Sequence, residues 1–366
     1  VWLDQPLLKK GQKASLVFRL VNGGTADAMG VRVQLVVGGV QKGLATVDLP
    51  ANGTLTDSID FTPEQSGRLR ATLQLNDRVF PIDDAWFLQL AVKDSLPLLY
   101  IRPEQASTYL RALFKNDDFI HFSELPRLGL DYNQLSKYAA YVVEGGDQGS
   151  SGLFEALLKQ VEAGASLIYV PAPGDALTEV AAVLQALGLG MPTALESTKI
   201  PVRKLAFQDR LFQETFSSLP EQMSLPTVLK YFKYVRQPDD RLLMQLQNDD
   251  PWLIRRDFGA GNITVLLSAL SPAWTDFVQH ALLVPTFHRA TQLGGDLLQS
   301  SYRLQQADGV LLRSGDVPAN GLLALENEKD RFIPEIRRMG GKVMLNARSA
   351  NLSPGHYQVV ADGEVL

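Results

Sequence analysis

The sequence contains no cysteine among its 366 residues. A chain without thiols forms no disulfide framework, zinc–thiolate site or iron–sulfur cluster, and it has no cysteine nucleophile. This absence is compatible with the cytoplasm and with an oxidising compartment, so cysteine usage leaves the location open. Histidine is also scarce, at four residues, which limits the acid–base sets that the chain can build.

Long apolar runs and clustered basic charge are missing as well. No stretch approaches the roughly 18 continuous apolar residues of a membrane-spanning helix, and no signal peptide is visible. The formal net charge is −5, and the run Lys199, Arg203, Lys204 is too thin for a phosphate-binding surface, so we predict no nucleic-acid partner. The chain opens at Val1 without a methionine and closes at Leu366 in a predicted hairpin. We therefore expect both ends to continue in a larger protein.

Residues 1–93 show the period-two alternation of half-buried strands. Turn residues such as Asn22-Gly23-Gly24 and Gly38-Gly39 separate the strands, which recur at a spacing of roughly 8–12 residues. The pattern predicts an immunoglobulin-like antiparallel β-sandwich. The predicted strands are Ala14–Val21, Val31–Val37, Gly43–Leu49, Thr54–Phe61, Gly67–Leu75 and Trp86–Val92.

Residues 94–298 alternate short apolar strands with amphipathic helices, and this order predicts a parallel sheet with right-handed crossovers. An irregular mixed insertion near 200–258 interrupts the alternation, with strands at Leu229–Arg236 and Leu242–Leu246. The other predicted strands are Leu96–Ile101, Tyr138–Glu144, Ser166–Val170 and Asn262–Leu267. The predicted helices are Glu104–Phe114, Ser151–Ala163, Asp175–Leu187 and Asp276–Leu293.

The period-two pattern returns at residues 299–366, for example at Val310–Leu312 and Gly341–Leu345. It predicts a small C-terminal β domain. The chain as a whole is thus predicted to be multidomain, with one α/β domain between two β domains. A hydrophobic content of 45% supplies apolar material for a core in each.

A glycine- and serine-rich loop, Gly145–Gly152, lies between a predicted strand and a predicted helix. Ligands bind at such loops in doubly wound folds because helix N-terminal amides point at the crevice. The loop has neither the ending of a P-loop nor the dinucleotide fingerprint, and Leu153 replaces the last glycine of a nucleophile elbow. It is either a flexible loop with a serine helix cap or a small-ligand site. The candidate ligand-binding residues are Gly145, Gly146, Asp147, Ser150 and Ser151.

Asp276 and His280 are four residues apart and share a face of a predicted helix. They supply one carboxylate and one imidazole, short of a full nucleophile–base–acid set. His288 adds a third turn but no second carboxylate, so no metal site is predicted. Adjacent acidic pairs such as Asp249-Asp250 lack the spacing of a calcium loop and are interpreted as solvated turns. No catalytic residue, cofactor or metal is therefore assigned.

The most distinctive stretch covers residues 259–285. It reads Gly-x-Gly-x-Ile-x-Val, then Leu-Ser-Pro-x-Trp-Thr-Asp-Phe, with Val284-Pro285 downstream. This stretch resembles the aerotolerance-associated (BatA-like) bacterial membrane proteins. The β-rich start is similar too, in Ile59-Asp60-Phe61 and in the run Asp83-Asp84-Ala85-Trp86-Phe87. The α/β part resembles a flavodoxin-like, class I glutamine-amidotransferase-like domain.

The resemblance covers most of residues 10–290 and implies the extracytoplasmic, periplasmic part of a protein anchored through segments outside this chain. Glutamine amidotransferases need a cysteine nucleophile with histidine and glutamate. This chain has no cysteine, and glycine and acid follow Tyr141–Glu144 at the elbow-like position. The resemblance therefore implies a degenerate, non-enzymatic domain. Its expected partners are other envelope or membrane proteins, in envelope assembly or stress tolerance.

Three functions remain open from the sequence. The first is non-enzymatic extracytoplasmic recognition or scaffolding. The second is small-ligand or carbohydrate binding in the crevice at Gly145–Gly152. The third is a hydrolase that uses Asp276 and His280.

Overall fold

The computed structural model describes the chain except for residues 5–6, 77–83, 147–150, 213–223, 295–300, 303–308, 314–316, 340–341 and 347–351. The protein is mostly β, with several mixed and antiparallel sheets in more than one domain. Its backbone separates into two compact units. The first unit comprises residues 1–94 and 298–366, and the second comprises residues 95–297. Among the helices described, none has the length and apolar character needed to span a membrane.

Among the described residues before position 94, the first unit has eight strands, which form two sheets. One sheet has five strands in the order β2-β8-β7-β4-β5, antiparallel except for the β2–β8 pair, and the other has three antiparallel strands in the order β1-β3-β6. The strands are β1 (Trp2–Leu3), β2 (Leu8–Lys9), β3 (Ala14–Val21), β4 (Ala28–Val37), β5 (Val40–Leu49), β6 (Thr54–Phe61), β7 (Gly67–Leu75) and β8 (Ala85–Lys93).

These two sheets share one hydrophobic core. Phe18 of β3, Leu35 of β4 and Ile59 of β6 are buried in it together. Side chains alternate across a strand, so every second residue of β3 faces this core and the residues between them face outward. The predicted bounds of β3, β6 and β7 are confirmed.

The second unit is built on a nine-stranded sheet in the order β10-β9-β11-β12-β17-β16-β15-β13-β14. Its strands are β9 (Leu96–Arg102), β10 (Ile120–Pro126), β11 (Ala140–Glu144), β12 (Ser166–Val170), β13 (Pro192–Leu205), β14 (Thr227–Tyr234), β15 (Arg241–Leu246), β16 (Pro251–Phe258) and β17 (Gly261–Leu266). Its helices are α1 (Thr108–Phe114), α2 (Ser151–Glu162), α3 (Leu177–Ala186) and α4 (Leu283–Gln292), with 3₁₀ helices at Tyr132–Lys137 and Asp276–Gln279.

Strands β10, β9, β11, β12 and β17 are parallel, which confirms the predicted parallel sheet. Strand β9 comes first in the chain but lies second in the sheet, so the strand order reverses between β9 and β11. On one face, Leu157 of α2 and Val183 of α3 share a core with Tyr141 and Ile263 of the sheet. Helix α4 packs on β11 and β12 and also contacts α1. Both faces of β11 and β12 are thereby covered, as parallel strands require.

The predicted mixed insertion near 200–258 is an antiparallel extension of the same sheet, and it begins earlier, at Pro192. The sequence pattern indicates β14 and β15 but misses β13 and β16. In β13 most side chains are at least partly exposed, so apolar residues do not alternate along it. In β16 the run Pro251–Arg255 is buried throughout, so it has no polar face.

The predicted single helix Asp276–Leu293 is wrong. His280 has extended backbone angles, φ −88° and ψ 143°, which end the 3₁₀ helix before α4 begins at Leu283. Pro285 consequently lies in the first turn of α4, where its missing N–H costs no helical hydrogen bond. A continuous helix would have placed this proline in its interior.

The C-terminal strands complete the first unit as two small antiparallel sheets, ordered β18-β22-β21 and β20-β19-β23-β24. They enclose a second core that includes Leu323, Leu325, Val343 and Leu345. Whether residues 299–366 form a separate domain stays a prediction. The strands are β18 (Val310–Arg313), β19 (Leu323–Glu326), β20 (Arg331–Phe332), β21 (Glu335–Met339), β22 (Lys342–Asn346), β23 (Gln358–Ala361) and β24 (Glu364–Val365).

Strand β5 approaches β6 of the opposite sheet at Gly43. A Cβ atom at this position would lie 2.2 Å from Ile59 Cγ2 and 3.3 Å from the Asp60 carbonyl oxygen. We expect Gly43→Ala to lower the free energy of unfolding by about 1–3 kcal/mol, because the two sheets would have to separate locally. Urea denaturation measures this loss. Gly23→Ala is the control, since nothing lies within 4 Å of its added Cβ, and equal losses in the two variants would contradict the explanation.

Candidate functional site

The carboxyl ends of the parallel strands bring four loops together around residues 144–146. These loops follow β9, β10, β11 and β12. The strand order reverses between β9 and β11, and open α/β sheets bind ligands in the crevice at such a point. This edge is therefore the candidate functional site.

Glu144, the last residue of β11, is only 1% exposed. Its Oε2 accepts a hydrogen bond from the backbone N–H of Ser107 at 2.9 Å and another from the hydroxyl of Tyr100 on β9. Burial raises the pKa of Glu144, although both hydrogen bonds act in the opposite direction. Ser107 also caps α1, because its Oγ accepts from the Tyr109 N–H at 3.2 Å. One carboxyl group thus connects β9, β11 and the start of α1.

Arg127 follows β10 and reaches the same turn from the edge of the sheet. Its Nη2 donates to the carbonyl oxygens of Glu144 and Gly145, at 2.8 and 2.5 Å. Its Nε is buried and has no hydrogen-bond partner among the described residues. The guanidinium therefore holds the backbone of the turn, while its buried Nε–H has no described partner.

Asp175, in the loop after β12, holds the turn from the other side. Its Oδ2 accepts from the backbone N–H groups of Gly146 and Ala172, both at 2.8 Å. Burial raises the pKa of Asp175, and the nearby carboxylate of Glu179 adds to the shift. The loops after β11 and β12 are thus joined through one carboxylate oxygen.

Gly145 occupies a left-handed conformation at this turn, with φ +79°. A Cβ atom there would lie 3.1 Å from the Cβ of Ala172 and 3.5 Å from Asp175 Oδ1. The turn therefore requires glycine both for its backbone angle and for the close approach of the next loop.

Tyr169 of β12 has a fully buried hydroxyl with no hydrogen-bond partner among the described residues. Burial raises the pKa of Tyr169. The negative charge of Asp175 raises this pKa further, whereas the positive charge of Arg127 lowers it. Such atoms commonly mark a place for an ordered water or a ligand, or a local strain.

The sequence-predicted residues Gly145 and Gly146 lie at this edge. Asp147 and Ser150 fall outside the described residues, and Ser151 begins α2 with a side chain that is not described. Sequence reasoning missed Tyr100, Ser107, Arg127 and Asp175. One signal was available: an acidic residue that ends the otherwise apolar strand at Glu144 must find partners at a sheet edge.

The structure does not join Asp276 and His280 into a catalytic pair. Asp276 Oδ1 accepts from the Thr227 N–H at 2.8 Å. His280 Nδ1 accepts from the Leu282 N–H at 3.1 Å, and its Nε2 donates to the Ser224 carbonyl oxygen at 2.8 Å. Both ring nitrogens are therefore occupied by backbone groups. The two residues also do not share a helix face, since the 3₁₀ helix ends before His280.

His288 connects α4 to α1 and to the loop after α1. Its Nε2 donates to the Leu113 carbonyl oxygen at 2.8 Å, and its Nδ1 lies 3.3 Å from Asp117 Oδ2. Its ring stacks on Phe114 with centroids 5.3 Å apart. In the part of the chain that the structure describes, no three histidine or acidic side chains are grouped as metal ligands.

No family model and no curated protein matches this chain. Among solved structures, a cytoplasmic protein from Salmonella typhimurium is similar with a TM-score of 0.42 and 13% identity, over 54% of this chain and 99% of that chain. A ThuA-like protein from Bacteroides uniformis has a TM-score of 0.36 and 14% identity, over 53% of this chain and 91% of that chain. A CARDB domain from Pyrococcus furiosus, in complex with di-metal ions, has a TM-score of 0.23 and 15% identity, over 24% of this chain and 81% of that chain. These values establish neither a shared family nor a shared function.

The raised pKa of the buried Glu144 carboxyl group predicts how the stability of the fold changes with pH. In the folded protein the pKa of Glu144 is raised above 4.5. The contribution of this group to the free energy of unfolding therefore falls as the pH rises from its pKa in the unfolded chain to its pKa in the folded protein. Glu144→Gln is expected to make the pH dependence flatter in that window, with Asp175 supplying the remainder. Urea denaturation at a series of pH values measures the slope.

Glu124→Gln is the control, because Arg111 lowers the pKa of Glu124. The contribution of Glu124 is present above its unfolded pKa and is lost as the pH falls through the folded one, so the slope should change in the opposite direction. A wild-type slope in Glu144→Gln would contradict the raised pKa.

A comparison of two buried tyrosines on neighbouring strands tests whether the Tyr169 hydroxyl lacks a hydrogen-bond partner. Tyr141 donates to the Leu135 carbonyl oxygen, whereas the hydroxyl of Tyr169 has no described partner. We expect Tyr141→Phe to lower the free energy of unfolding by about 1 kcal/mol and Tyr169→Phe to leave it unchanged or raise it by up to about 1 kcal/mol. Equal losses, measured by urea denaturation, would mean that Tyr169 has a partner in solution.

Proposed function

We propose that this chain is a non-enzymatic recognition or scaffolding segment on the extracytoplasmic face of a bacterial membrane. In this proposal the chain is anchored through segments outside it, as in the BatA-like proteins that residues 259–285 resemble. Its partner is another envelope protein, bound at the carboxyl edge of the parallel strands. The proposed layout is an immunoglobulin-like sandwich, a flavodoxin- or amidotransferase-like domain and a small β domain. The parallel-strand order, 2-1-3-4-5 in chain order, supports the flavodoxin-like assignment.

The observation that carries the proposal is the turn after β11. In enzymes with a nucleophile elbow, the nucleophile projects from a sharp strand-to-helix turn into an open site. Here the corresponding turn contains Gly145, and the direction of its missing Cβ leads to Ala172 and Asp175. A side chain at this position would enter the neighbouring loop. This supports a role for the edge in binding instead of nucleophilic catalysis.

The polar groups of the edge are used to hold loops in place. Glu144, Arg127 and Asp175 each bind the backbone of a neighbouring loop. A surface whose loops are fixed in advance loses less entropy when a partner binds. This rigidity supports recognition of a folded partner.

Exposed apolar side chains lie beside the fixed turn. Leu128, directly after Arg127, is 90% exposed, and Tyr132 is 44% exposed. Tyr132 is close to the first turn of α2, since its Cε2 lies 3.6 Å from the position of a Cβ at Gly152. Tyrosine is one of the side chains that dominate the binding energy of protein interfaces, and Leu128 adds exposed apolar area beside it that a partner can bury.

A photo-crosslinking amino acid in place of Leu128 tests this proposal in the full-length protein in its native membrane. We expect one discrete adduct with another envelope protein, identified by mass spectrometry. The matched control places the same group at Leu195, which is 43% exposed on β13. The absence of an adduct at position 128, or the same adduct at both positions, would contradict recognition at this edge.

A second candidate function is binding of a small hydroxyl-bearing ligand, such as a carbohydrate, in the crevice at Gly145–Gly152. Arg127 Nε and the Tyr169 hydroxyl offer donors without described partners, and Asp175 offers an acceptor. This combination suits a hydroxyl group, which both accepts and donates. Native mass spectrometry of the purified chain tests it: a retained small molecule that is lost in Tyr169→Phe would favour this function over protein recognition.

A further inference from the structure

The loop before β23 contacts the outer face of the five-stranded sheet through His356. Its Nε2 lies 3.2 Å from Thr72 Oγ1 on β7, and its ring packs edge-on against Phe87 on β8, with centroids 5.2 Å apart and an interplanar angle of 86°. Thr72 and Phe87 are direct cross-strand partners. One imidazole therefore covers one cross-strand pair on the face opposite to the sandwich core.

A second contact joins the same strand to the other end of the C-terminal segment. Trp86 Nε1 donates to Ser301 Oγ at 3.1 Å. Trp86 and Phe87 are adjacent on β8, and both are half-buried. Adjacent residues of a strand project to opposite faces, so Phe87 lies against His356 on the outer face, whereas Trp86 packs against the sandwich core. Two separate parts of the C-terminal segment thus contact β8, one on each face of the sheet.

The surroundings of His356 favour its neutral form. Burial lowers the pKa of His356, and the positive charge of Arg70 lowers it further. Arg70 is two residues before Thr72 on β7, so both side chains project from the same face of the sheet. Thr72 and Phe87 are uncharged. The neighbouring Tyr357 donates to Asp330 at 2.6 Å, which engages that carboxylate elsewhere.

We propose that His356 is a pH-sensitive latch that holds the C-terminal strands on β7 and β8 when neutral and releases them when protonated. Protonation would place a second cation near Arg70 in a partly buried contact, and this charge is better solvated once the contact opens. Release would uncover the side chain of Phe87. The latch is independent of the proposed recognition edge at residues 144–146.

The direction of the pH dependence is set by the difference between the pKa of His356 in the folded state and in the unfolded state. The pKa of His356 in the folded protein lies below 6.5. The contact therefore has its full stability at pH values above the pKa of the unfolded histidine, and it loses stability as the pH falls from that pKa towards the pKa of the folded state. The transition is thus expected on the acidic side of about pH 6.5.

The lack of cysteine in the chain allows spin labels to be attached without background. Cysteines in place of Gln89 on β8 and Gln358 on β23, both exposed, place one label on each side of the contact. Double electron–electron resonance is expected to give a narrow distance distribution near pH 7.5 and a longer, broader one near pH 5, since an unperturbed histidine changes charge between about pH 5 and about pH 8.

Three variants separate the latch from a general loosening of the fold. His356→Gln is expected to abolish the pH response, because the amide remains neutral and can still donate to Thr72. Arg70→Gln is expected to reduce the change, because the repulsion is removed while the histidine stays. His121→Gln, at an exposed histidine outside the contact, should leave the response intact. A wild-type distribution that is the same at both pH values would overturn the proposal, and so would a full response in His356→Gln and Arg70→Gln.

Discussion

The turn at the end of β11 is the constraint on which the parallel half of the sheet depends. Its backbone is held by Arg127 from one loop and by Asp175 from another, while the Glu144 carboxyl group fixes the start of α1. Each bond crosses from the side chain of one loop to the backbone of the next. Polar groups buried at such an edge are costly unless they are paired, so the loops hold one another in a single arrangement.

In the antiparallel half of the sheet, buried charged side chains are paired with each other. Arg255 and Arg256 are adjacent on β16, so their side chains project to opposite faces. Arg255 Nη1 pairs with Asp209 Oδ1 and Arg256 Nη2 with Asp240 Oδ1, each at 2.6 Å. Losing one partner of a buried pair leaves an uncompensated charge, typically at a cost of about 3–5 kcal/mol. The two pairs therefore favour the observed register of β16 over a slipped one, which would exchange the two faces.

These features describe a chain whose polar groups serve mainly to join neighbouring segments. His280 and His288 donate to backbone carbonyl groups, and His356 joins two parts of the first unit. An imidazole engaged in this way is a connector, and in His356 it is one whose charge changes with pH. The functional proposals follow from this use of polarity: an edge fixed for recognition in the second unit, and an adjustable contact in the first.

The repeating features of the chain follow from its residue pattern alone. Period-two alternation located β3, β6 and β7, and alternating strands and helices predicted the parallel sheet, because burial of one face imposes the periodicity of the element. The contacts between distant segments do not follow from that pattern and are visible in the folded structure alone. Strand β13 carries no such periodicity, the predicted Asp276–His280 pair separates at a break between helices, and Tyr100 and Glu144 bond across 44 positions of sequence. The physical reason is that a hydrogen-bond partner is chosen by where the loops meet in space, and spacing along the chain does not record that position.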